Sequence, residues 1–475
     1  MPRGPGDGRT RRQALRAALG AAGALAASGG LAGCGHHLAR LDRAVRRPLV
    51  LLWRPWLPPG APHTSSESLL HAGIRPWLQA NPGVEVRVVA YAHRADLTAA
   101  MVAGQGPDVF CDHLLPTFAQ AGLVYDIGTY VRSFGVRLDA FAPALLRYLQ
   151  SVSNAGGGSG RLYGLPAYTH TLAMAVNEGT LATLGLSRPQ PDWTHVQWAD
   201  LWQRAVSLTP GRHRYGGNLY WSGYDYSGGN PAPFYLRGFG GEYVDPADTA
   251  RCQLAAPGSI AAMTWCDQLV RSGVAGGDTL TDLGSGRLVS GPLGTAGDLA
   301  RAAELWQGVR WNLYPMPVWP KGRLTFASSA FYGVWSGSRY PEVAWSLVRY
   351  LCLEPAWQRW MMQVALLGPN QPGLWDEWLS RVLQVGASAL RAIDLRVFVD
   401  AVQRDEAYVG ESFRFAEARC ASLIRGFGAQ VRSGHRPLVQ AAAQTSTAVD
   451  ALQRRGLARE AQAKAALARL NGAKA

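Results

Sequence analysis

The sequence predicts an α/β fold with two or more lobes and a helical C-terminal segment, and three observations lead to this prediction. The chain has 475 residues, enough for two or three domains at about 150 residues each. Its hydrophobic fraction of 48% and aromatic fraction of 10% exclude disordered and collagen-like chains. From residue 48 onward, short apolar runs alternate with helical stretches, which is typical of a parallel sheet covered by helices.

The first lobe is predicted to begin at Pro48 with a strand over 49–53, an apolar run suited to burial on both faces of a sheet. Further elements are predicted as a helix over 68–80, a strand over 84–89, a helix near 96–103 and a strand over 108–111. In a doubly wound sheet of this kind, ligand groups lie at the carboxyl ends of the strands. The residues at these ends are Trp53, Arg54, Tyr91, Asp112 and His113.

A Gly-rich link over 154–160 precedes a second apolar run over 172–176, so we predict that the chain passes between lobes here. Helices are predicted over 181–184 and 195–208, the second with Thr194 as its N-cap. The segment 215–241 places many aromatic residues among Gly, Ser, Asn and Pro, and we interpret it as a loop that presents flat aromatic faces. Further helices are predicted over 345–352, 357–366, 389–402, 412–424 and 437–470.

Some conspicuous residues are expected to be structural. Tryptophans at helical positions are expected to pack in cores, namely Trp193, Trp198, Trp202, Trp345, Trp357 and Trp360. Asp108 follows a proline and opens a strand, so we expect it to fix the turn. The six cysteines form no C-x-x-C motif, and most are expected to be small buried side chains, although up to two disulfides stay open.

Composition and motifs exclude several function classes. The 47 Lys and Arg against 33 Asp and Glu give a net charge of +14, but only three of them are lysines and none precedes Ser or Thr, which excludes a phosphate-binding P-loop. The Arg excess accompanies many Ala and Gly residues, which indicates compositional bias of the source genome. We therefore expect no nucleic-acid partner. Because the chain also lacks G-x-S-x-G and H-E-x-x-H motifs, we expect no enzyme, no cofactor and no metal site.

The N-terminus is typical of an exported lipoprotein. Residues 1–33 contain the Arg11–Arg12 pair and then a short run of small apolar residues over 17–31, which predicts an export signal. The pair resembles a twin-arginine signal, but Ala14 stands where a large apolar residue is usual, so general secretory export also stays open. Residues 31–34 resemble a lipoprotein box, which predicts lipid on Cys34 and a tether over 34–47. The alternative is an ordinary signal with a chance cysteine.

Several pieces of the sequence, in order over about 300 residues, resemble the extracellular solute-binding proteins of ABC importers, in particular the class that binds sugars. The pieces are Trp53, 81–86, 103–110, 122–127, 160–166, Asn177, 191–193 and 344–345. No single piece is specific to this family, but the order of the pieces behind a lipoprotein signal is specific to it. The family often has a Gly-Trp pair near the end of the second lobe, whereas this chain has Ser-Gly-Pro at 290–292 and Gly-Asp at 297–298.

The resemblance implies a two-lobed periplasmic-binding-protein fold with a ligand cleft between the lobes. It places 48–167 and 327–355 in the first lobe and 168–326 and 356–475 in the second, with crossovers near 165–172 and 322–330. It implies a monomeric substrate-binding component at the extracytoplasmic face of the cell membrane, which captures a carbohydrate without chemistry and delivers it to permease subunits.

A sugar site combines aromatic platforms with a few fixed polar groups. Residues at strand ends, crossovers and the aromatic segment are therefore the predicted ligand contacts: Trp53, Arg54, Asp112, Tyr168, His170, Tyr220, Trp221, Tyr224, Asp225 and Tyr332.

Other functions stay open. Arg54 and His170 would suit a sugar phosphate, and the missing Gly-Trp pair leaves other small polar solutes possible. A secreted glycoside-acting enzyme is a further alternative, with Asp225 and Glu242 as its paired carboxylates. A lipoprotein that senses a ligand for a receptor, or that scaffolds a surface complex, would have the same kind of cleft.

Overall fold

The computed structural model describes residues 48–52, 63–89, 91, 94–113, 115–155, 160–209, 215–219, 232–295, 298–385, 388–404, 406–410 and 413–472. The strands are β1 (Leu49–Leu52), β2 (Val86–Val89), β3 (Val109–Asp112), β4 (Leu165–Pro166), β5 (His170–Asn177), β6 (Tyr215–Gly217), β7 (Leu288–Gly294), β8 (Trp311–Tyr314), β9 (Val318–Trp319), β10 (Gly322–Arg323), β11 (Thr325–Ser328), β12 (Phe331–Val334) and β13 (Ala407–Tyr408).

The α-helices are α1 (His63–Ala80), α2 (Arg94–Val102), α3 (Leu115–Gln120), α4 (Gly128–Ser133), α5 (Pro143–Ala155), α6 (Glu178–Thr183), α7 (His195–Ser207), α8 (Ala232–Gly238), α9 (Pro257–Arg271), α10 (Thr279–Asp282), α11 (Asp298–Leu305), α12 (Pro341–Leu353), α13 (Pro355–Ala365), α14 (Trp375–Val385), α15 (Arg396–Gln403), α16 (Glu417–Arg432) and α17 (Leu438–Gly472). Short 3-10 turns occupy Leu138–Ala140, Pro372–Leu374 and Ser388–Ala392.

The sheet of the first lobe has the strand order β2-β1-β3-β12-β4. Strand β1 pairs in parallel with both β2 and β3, which confirms the predicted β-α-β-α-β arrangement. Asp108 has the predicted structural role: its Oδ2 accepts from the backbone N–H of Val50 at 3.0 Å and its Oδ1 from the Ser338 hydroxyl at 2.7 Å. The carboxylate therefore ties the start of β3 to β1 and to the segment after β12.

Helices α12 and α13 belong to the same layered structure as α1. Helix α12 packs on β12, and both α12 and α13 contact α1. At Gly73 of α1, a Cβ would lie 2.7 Å from the ring of Trp357 and 2.9 Å from that of Trp360, so the glycine allows α13 to approach closely. The predicted lobe boundary at 355/356 falls in the first turn of α13, although α12 and α13 pack on one another and both contact α1.

The second lobe contains the sheet β13-β11-β5-β7-β6, with β8 paired to the edge of β5. Its core contains Trp198 and Trp202 of α7, both fully buried, as predicted. Their ring centroids lie 4.3 Å apart, and Nε1 of Trp202 donates to the Ser290 hydroxyl at 2.6 Å. A Cβ at Gly217 of β6 would lie 1.6 Å from the Trp202 ring, so only glycine allows β6 to lie against α7.

The interpretation of 215–241 as a loop is wrong for the residues that the structure describes. Tyr215–Gly217 forms β6, and Ala232–Gly238 forms α8. Phe234 and Tyr235 of α8 are fully buried and pack against Trp319 with ring centroids 5.9 and 5.4 Å away. Helix α8 has only seven residues. A helix of this length is too short to show a periodic pattern in the sequence, which explains the incorrect interpretation.

The C-terminal segment is helical, as predicted, and its last two helices form a hairpin, α16–α17. The buried faces of this hairpin pack on α8, α9 and the segment 243–254. The shared cluster includes Leu236, Tyr243, Val244, Leu254, Met263, Phe413, Cys420, Ile424, Phe427, Val431 and Val449. Helix α14 was not predicted. Its residues Trp375 and Trp378 are fully buried.

The five cysteines in the described residues are all buried free thiols: Cys111, Cys252, Cys266, Cys352 and Cys420. Within the described ranges, no helix combines the length and apolar character needed to cross a lipid bilayer. In the same part of the chain, no group of three or more His, Cys, Asp or Glu side chains is arranged to hold a metal ion.

Candidate functional site

The two sheets are joined where the chain passes from one to the other and back. β4 lies in the first sheet and β5 begins in the second at His170, while β11 ends in the second at Ser328 and β12 begins in the first at Phe331. The two passages run side by side, since the Ala167 N–H donates to Ala330 O at 2.9 Å. We call the region formed by residues 166–171 and 328–331 the junction. It overlaps the crossover ranges that the resemblance implies, 165–172 and 322–330.

A third segment runs beside the junction after α13. The Thr169 N–H donates to Gly368 O at 2.9 Å. The buried Asn370 side chain donates to Pro166 O at 2.6 Å and to Cys352 O at 2.8 Å. Three stretches of backbone therefore connect the lobes, and an amide from the third fixes the start of the first.

The carboxyl end of β3 lies next to the junction. Asp112 is buried and pairs with Phe331 across β3 and β12. Nδ1 of the next residue, His113, lies 2.9 Å from Ser329 O, the distance of a hydrogen bond in which the ring donates. Its ring also meets Tyr168 edge to face at 6.5 Å. The backbone of Asp112 is thus paired with the return crossover, and the ring of the next residue contacts one residue of each crossover.

His170 lies on the second-lobe side of the junction, opposite Ser328. Its partner Ser328 comes three residues before Phe331, the partner of Asp112, in the return crossover. The His170 ring packs over Gly294 of β7, where a Cβ would lie 2.0 Å from Cε1. The ring also meets Phe326 edge to face at 6.0 Å. Burial, with a smaller contribution from nearby His113, lowers the pKa of His170 to about 4, so the imidazole is neutral at neutral pH.

Asp298, at the start of α11, approaches the same glycine. The hypothetical Cβ of Gly294 would lie 3.0 Å from Asp298 Oδ2, so the carboxyl group and the His170 ring converge there. The pKa of Asp298 is raised to about 6, mainly by burial; a backbone hydrogen bond from Gly294 acts against this rise, and Asp278 contributes to it. Sequence reasoning missed Asp298 as a site residue; its only signal was the Gly-Asp pair noted in place of Gly-Trp.

Threonine hydroxyls complete the polar surroundings. Oγ1 of Thr295, which follows β7, accepts from the Thr171 N–H at 3.2 Å. The hydroxyls of Thr169 and Thr171 are buried without a hydrogen-bond partner in the described part of the chain. The junction therefore brings together carboxyl, hydroxyl, phenol and neutral imidazole groups.

The remaining predicted ligand contacts have different positions. Tyr332 is buried in the first lobe beside Cys111 and Cys352, and this burial raises the pKa of its phenol well above the usual value. Six predicted contacts lie outside the described residues: Trp53, Arg54, Tyr220, Trp221, Tyr224 and Asp225. Of the ten, the structure brings Asp112, Tyr168 and His170 together. The assignment of all ten as ligand contacts stays a prediction.

Glu242, considered as one of a pair of catalytic carboxylates, is buried in the second lobe. Its Oε1 pairs with Arg237 at 3.0 Å, and its Oε2 accepts a hydrogen bond from the Tyr408 hydroxyl. The ion pair joins α8 to the segment after it, and Tyr408 joins it to β13. Glu242 therefore has a structural role in the second lobe.

Solved structures similar to this chain share its architecture. The sugar-binding protein MalE from Xanthomonas citri aligns with a TM-score of 0.64 at 17% identity, covering 87% of this chain and 99% of that one. A solute-binding protein of Thermotoga lettingae, bound to α-D-tagatose, gives 0.61 at 14% identity, covering 86% and 99%. The GacH receptor of Streptomyces glaucescens gives 0.58 at 19% identity, covering 86% and 98%.

These identities are low, so the likeness is one of fold. Two lobes joined by side-by-side crossovers, with polar groups gathered at the crossing, define the class of two-lobed binding proteins. Within that class, residues 60–356 match the model of the bacterial extracellular solute-binding protein family, and the chain belongs to this family. A search of curated proteins gave no significant match.

Proposed function

We propose that this chain is the lipid-anchored substrate-binding component of an ABC importer, which captures a carbohydrate in the cleft between its lobes and delivers it to the permease. The observation that carries the ligand class is the chemistry of the junction. Carboxyl groups of Asp112 and Asp298 accept hydrogen bonds from sugar hydroxyls, and a neutral His170 offers one donor and one acceptor. Tyr168 adds an aromatic face with a polar tip.

The same groups favour a neutral sugar over a sugar phosphate. A phosphate needs cationic or N–H donors, whereas two carboxyl groups would repel it. With a pKa of about 4, His170 carries no positive charge at neutral pH. The predicted suitability of His170 for an anion is therefore not supported by its surroundings.

Similar structures carry sugars in several sizes. Three of them hold α-D-tagatose, maltose and acarbose. Binding without chemistry also fits the structural role of Glu242, whose carboxylate pairs with Arg237. Closure around the ligand would give the permease a form to recognise, because the sugar contacts both lobes only when they are together.

A thermal-shift screen tests the ligand class. We expect mono- or oligosaccharides to raise the melting temperature, since a ligand at a hundredfold excess over its Kd stabilises by about 2.7 kcal/mol. Sugar phosphates, peptides and polyamines are the comparison sets. A shift with peptides alone, or turnover of a sugar during the assay, would show that the carbohydrate-binding proposal is wrong.

Asp112→Ala tests the site within the screen. We expect weaker binding of the responding sugar with the fold retained, because Asp112 lies at the junction, and no change from Asp192→Ala, which removes an exposed carboxylate. Isothermal titration of both variants measures this. Equal affinities for wild type and Asp112→Ala would move the site elsewhere.

The lipid anchor requires its own test, because Cys34 lies outside the described residues. Mass spectrometry of the mature N-terminus should find a diacylated Cys34, and Cys34→Ala should release the protein from the membrane fraction. An unmodified Cys34, or a variant that stays equally membrane-bound, would refute the anchor.

A further inference from the structure

Gln120 connects the two lobes away from the junction. It is the last residue of α3, which begins directly after β3 and packs on the first lobe through Phe118, whose ring meets Phe110 at 5.3 Å. The segment 413–417 precedes α16 and belongs to the second lobe, where Phe413 is fully buried in the cluster that contains Met263. Contacts between Gln120 and this segment are therefore contacts between lobes.

Both ends of the Gln120 carboxamide are used across this boundary. Nε2 donates to Phe413 O at 2.8 Å and to Arg414 O at 3.3 Å. Oε1 accepts from the Glu417 N–H at 2.9 Å. One half-buried side chain thus makes three hydrogen bonds to the backbone of the other lobe.

The hydrogen bond to Glu417 supplies a missing helix cap. The first N–H groups of a helix have no partner within the helix, and a side-chain oxygen at the N-cap usually accepts from one of them. The N-cap of α16 is Ala416, which has no such oxygen and adopts a left-handed φ of 52°. Glu417 turns its own carboxylate back to the Phe413 N–H at 2.8 Å. The acceptor for the Glu417 N–H comes from Gln120.

We infer that Gln120 is a positioning residue that latches the closed form, because the N-terminus of α16 is completed only while the lobes are together. Separation of the lobes breaks three hydrogen bonds at once and leaves the first turn of α16 to water. The latch deepens the proposed function, since closure is what would hold a ligand. It acts on the backbone of 413–417 and does not require that the ligand be a sugar.

Hydrogen exchange of the unliganded protein tests the latch. In Gln120→Ala we expect amides of 413–420 to exchange about tenfold faster, equivalent to about 1.4 kcal/mol, while amides in the core of each lobe keep their protection. Small-angle scattering should show a larger radius of gyration. Gln105→Ala, which removes an exposed glutamine of the same lobe, should match wild type in both measurements. Unchanged exchange and scattering in Gln120→Ala would overturn the latch.

Gln120→Glu separates the latch from simple packing. It keeps the size and the acceptor oxygen but loses the donors and faces the carbonyl oxygens of Phe413 and Arg414. We expect fast exchange at pH 7.5 and partial recovery near pH 4, where a glutamic acid side chain regains a proton. Wild type at each pH is the reference. Equal behaviour of wild type and Gln120→Glu at pH 7.5 would also overturn the latch. Because no sugar is present, failure of the carbohydrate screen leaves these results intact.

Discussion

Helices α7 and α16 both begin with a glutamine oxygen that accepts from a backbone N–H, but the two glutamines come from different places. At α7, Gln197 of the first turn accepts from the Thr194 N–H at 2.8 Å, and Thr194 accepts from the Gln197 N–H at 3.3 Å. At α16, the acceptor is Gln120, nearly 300 residues earlier in the chain and in the other lobe. The first helix start is complete within its own lobe; the second depends on lobe closure.

The difference separates two kinds of stability. Contacts inside a lobe contribute to its unfolding free energy whether the cleft is open or closed. Contacts between lobes contribute to the closed population, and water replaces them when the cleft opens, so their net value is only about 1 kcal/mol per hydrogen bond. Substitutions at contacts inside a lobe are expected to change the free energy of unfolding. Substitutions at contacts between lobes are expected to change the population of the closed form.

The largest effect is expected inside the second lobe, from Trp202→Ala. Trp202 is fully buried and packs against Trp198 and the glycine of β6. Its loss leaves a cavity and should cost about 3–5 kcal/mol of unfolding free energy, measured by urea denaturation. Trp202→Phe is the matched control and should lose less. A cost below 1 kcal/mol for the alanine variant would contradict the assignment of α7 to a self-sufficient core.

His170 at the junction should give an intermediate effect that depends on pH. Its pKa is about 6.5 in the unfolded chain and about 4 in the folded one, so the folded protein binds fewer protons between these values. Stability is then fully present above pH 6.5 and is lost as pH falls towards 4, by on the order of 2 kcal/mol. Denaturation of His170→Gln across this range should lack that loss. An unaltered pH profile would refute the burial of the imidazole.

Asp298 should act in the opposite direction over nearly the same range. Its pKa is about 3.9 in the unfolded chain and about 6 in the folded one, so the folded protein binds more protons in between. Stability is present below pH 4 and is lost as pH rises through 6, by on the order of 1–2 kcal/mol. Asp298→Asn should therefore be more stable than wild type at pH 7 and equal to it near pH 3. A variant less stable than wild type at pH 7 would contradict this.

The smallest effect is expected from Thr194→Ala, which removes the local cap of α7. We expect a loss of about 1 kcal/mol in urea denaturation. The loss should be the same in a Gln120→Ala background, since the two helix starts share no partner. Non-additive losses would mean that lobe closure is coupled to the stability of α7 in the second lobe.

Local signals made part of the fold predictable from sequence. The apolar runs of β1 and β3 and the cap at Thr194 each depend on residues close together in the chain, and these predictions were confirmed. Asp108 is structural, as predicted, but its partners Val50 and Ser338 are distant in the chain. The tryptophans of α7 were also correctly placed in the core, because helical spacing puts them on one face.

Residues whose roles depend on distant partners were not predictable. Gln120 has an unremarkable sequence context, and its partners at 413–417 are identified only by the fold. Asp298 becomes a junction residue because β7 brings Gly294 under His170. Phe234 and Tyr235 were misread as loop aromatics, since a short helix can be buried without showing a period.

The buried thiols have a practical consequence for labelling. The thiolate is the form of cysteine that attacks thiol-directed reagents. Burial raises the pKa of five thiols above the usual value: Cys111, Cys252, Cys266, Cys352 and Cys420. In a Cys34→Ala background, cysteines introduced at the exposed positions 105 and 264, one on each lobe, should therefore accept a pair of fluorophores while the native thiols stay unmodified. Energy transfer between the two fluorophores would then report the distance between the lobes.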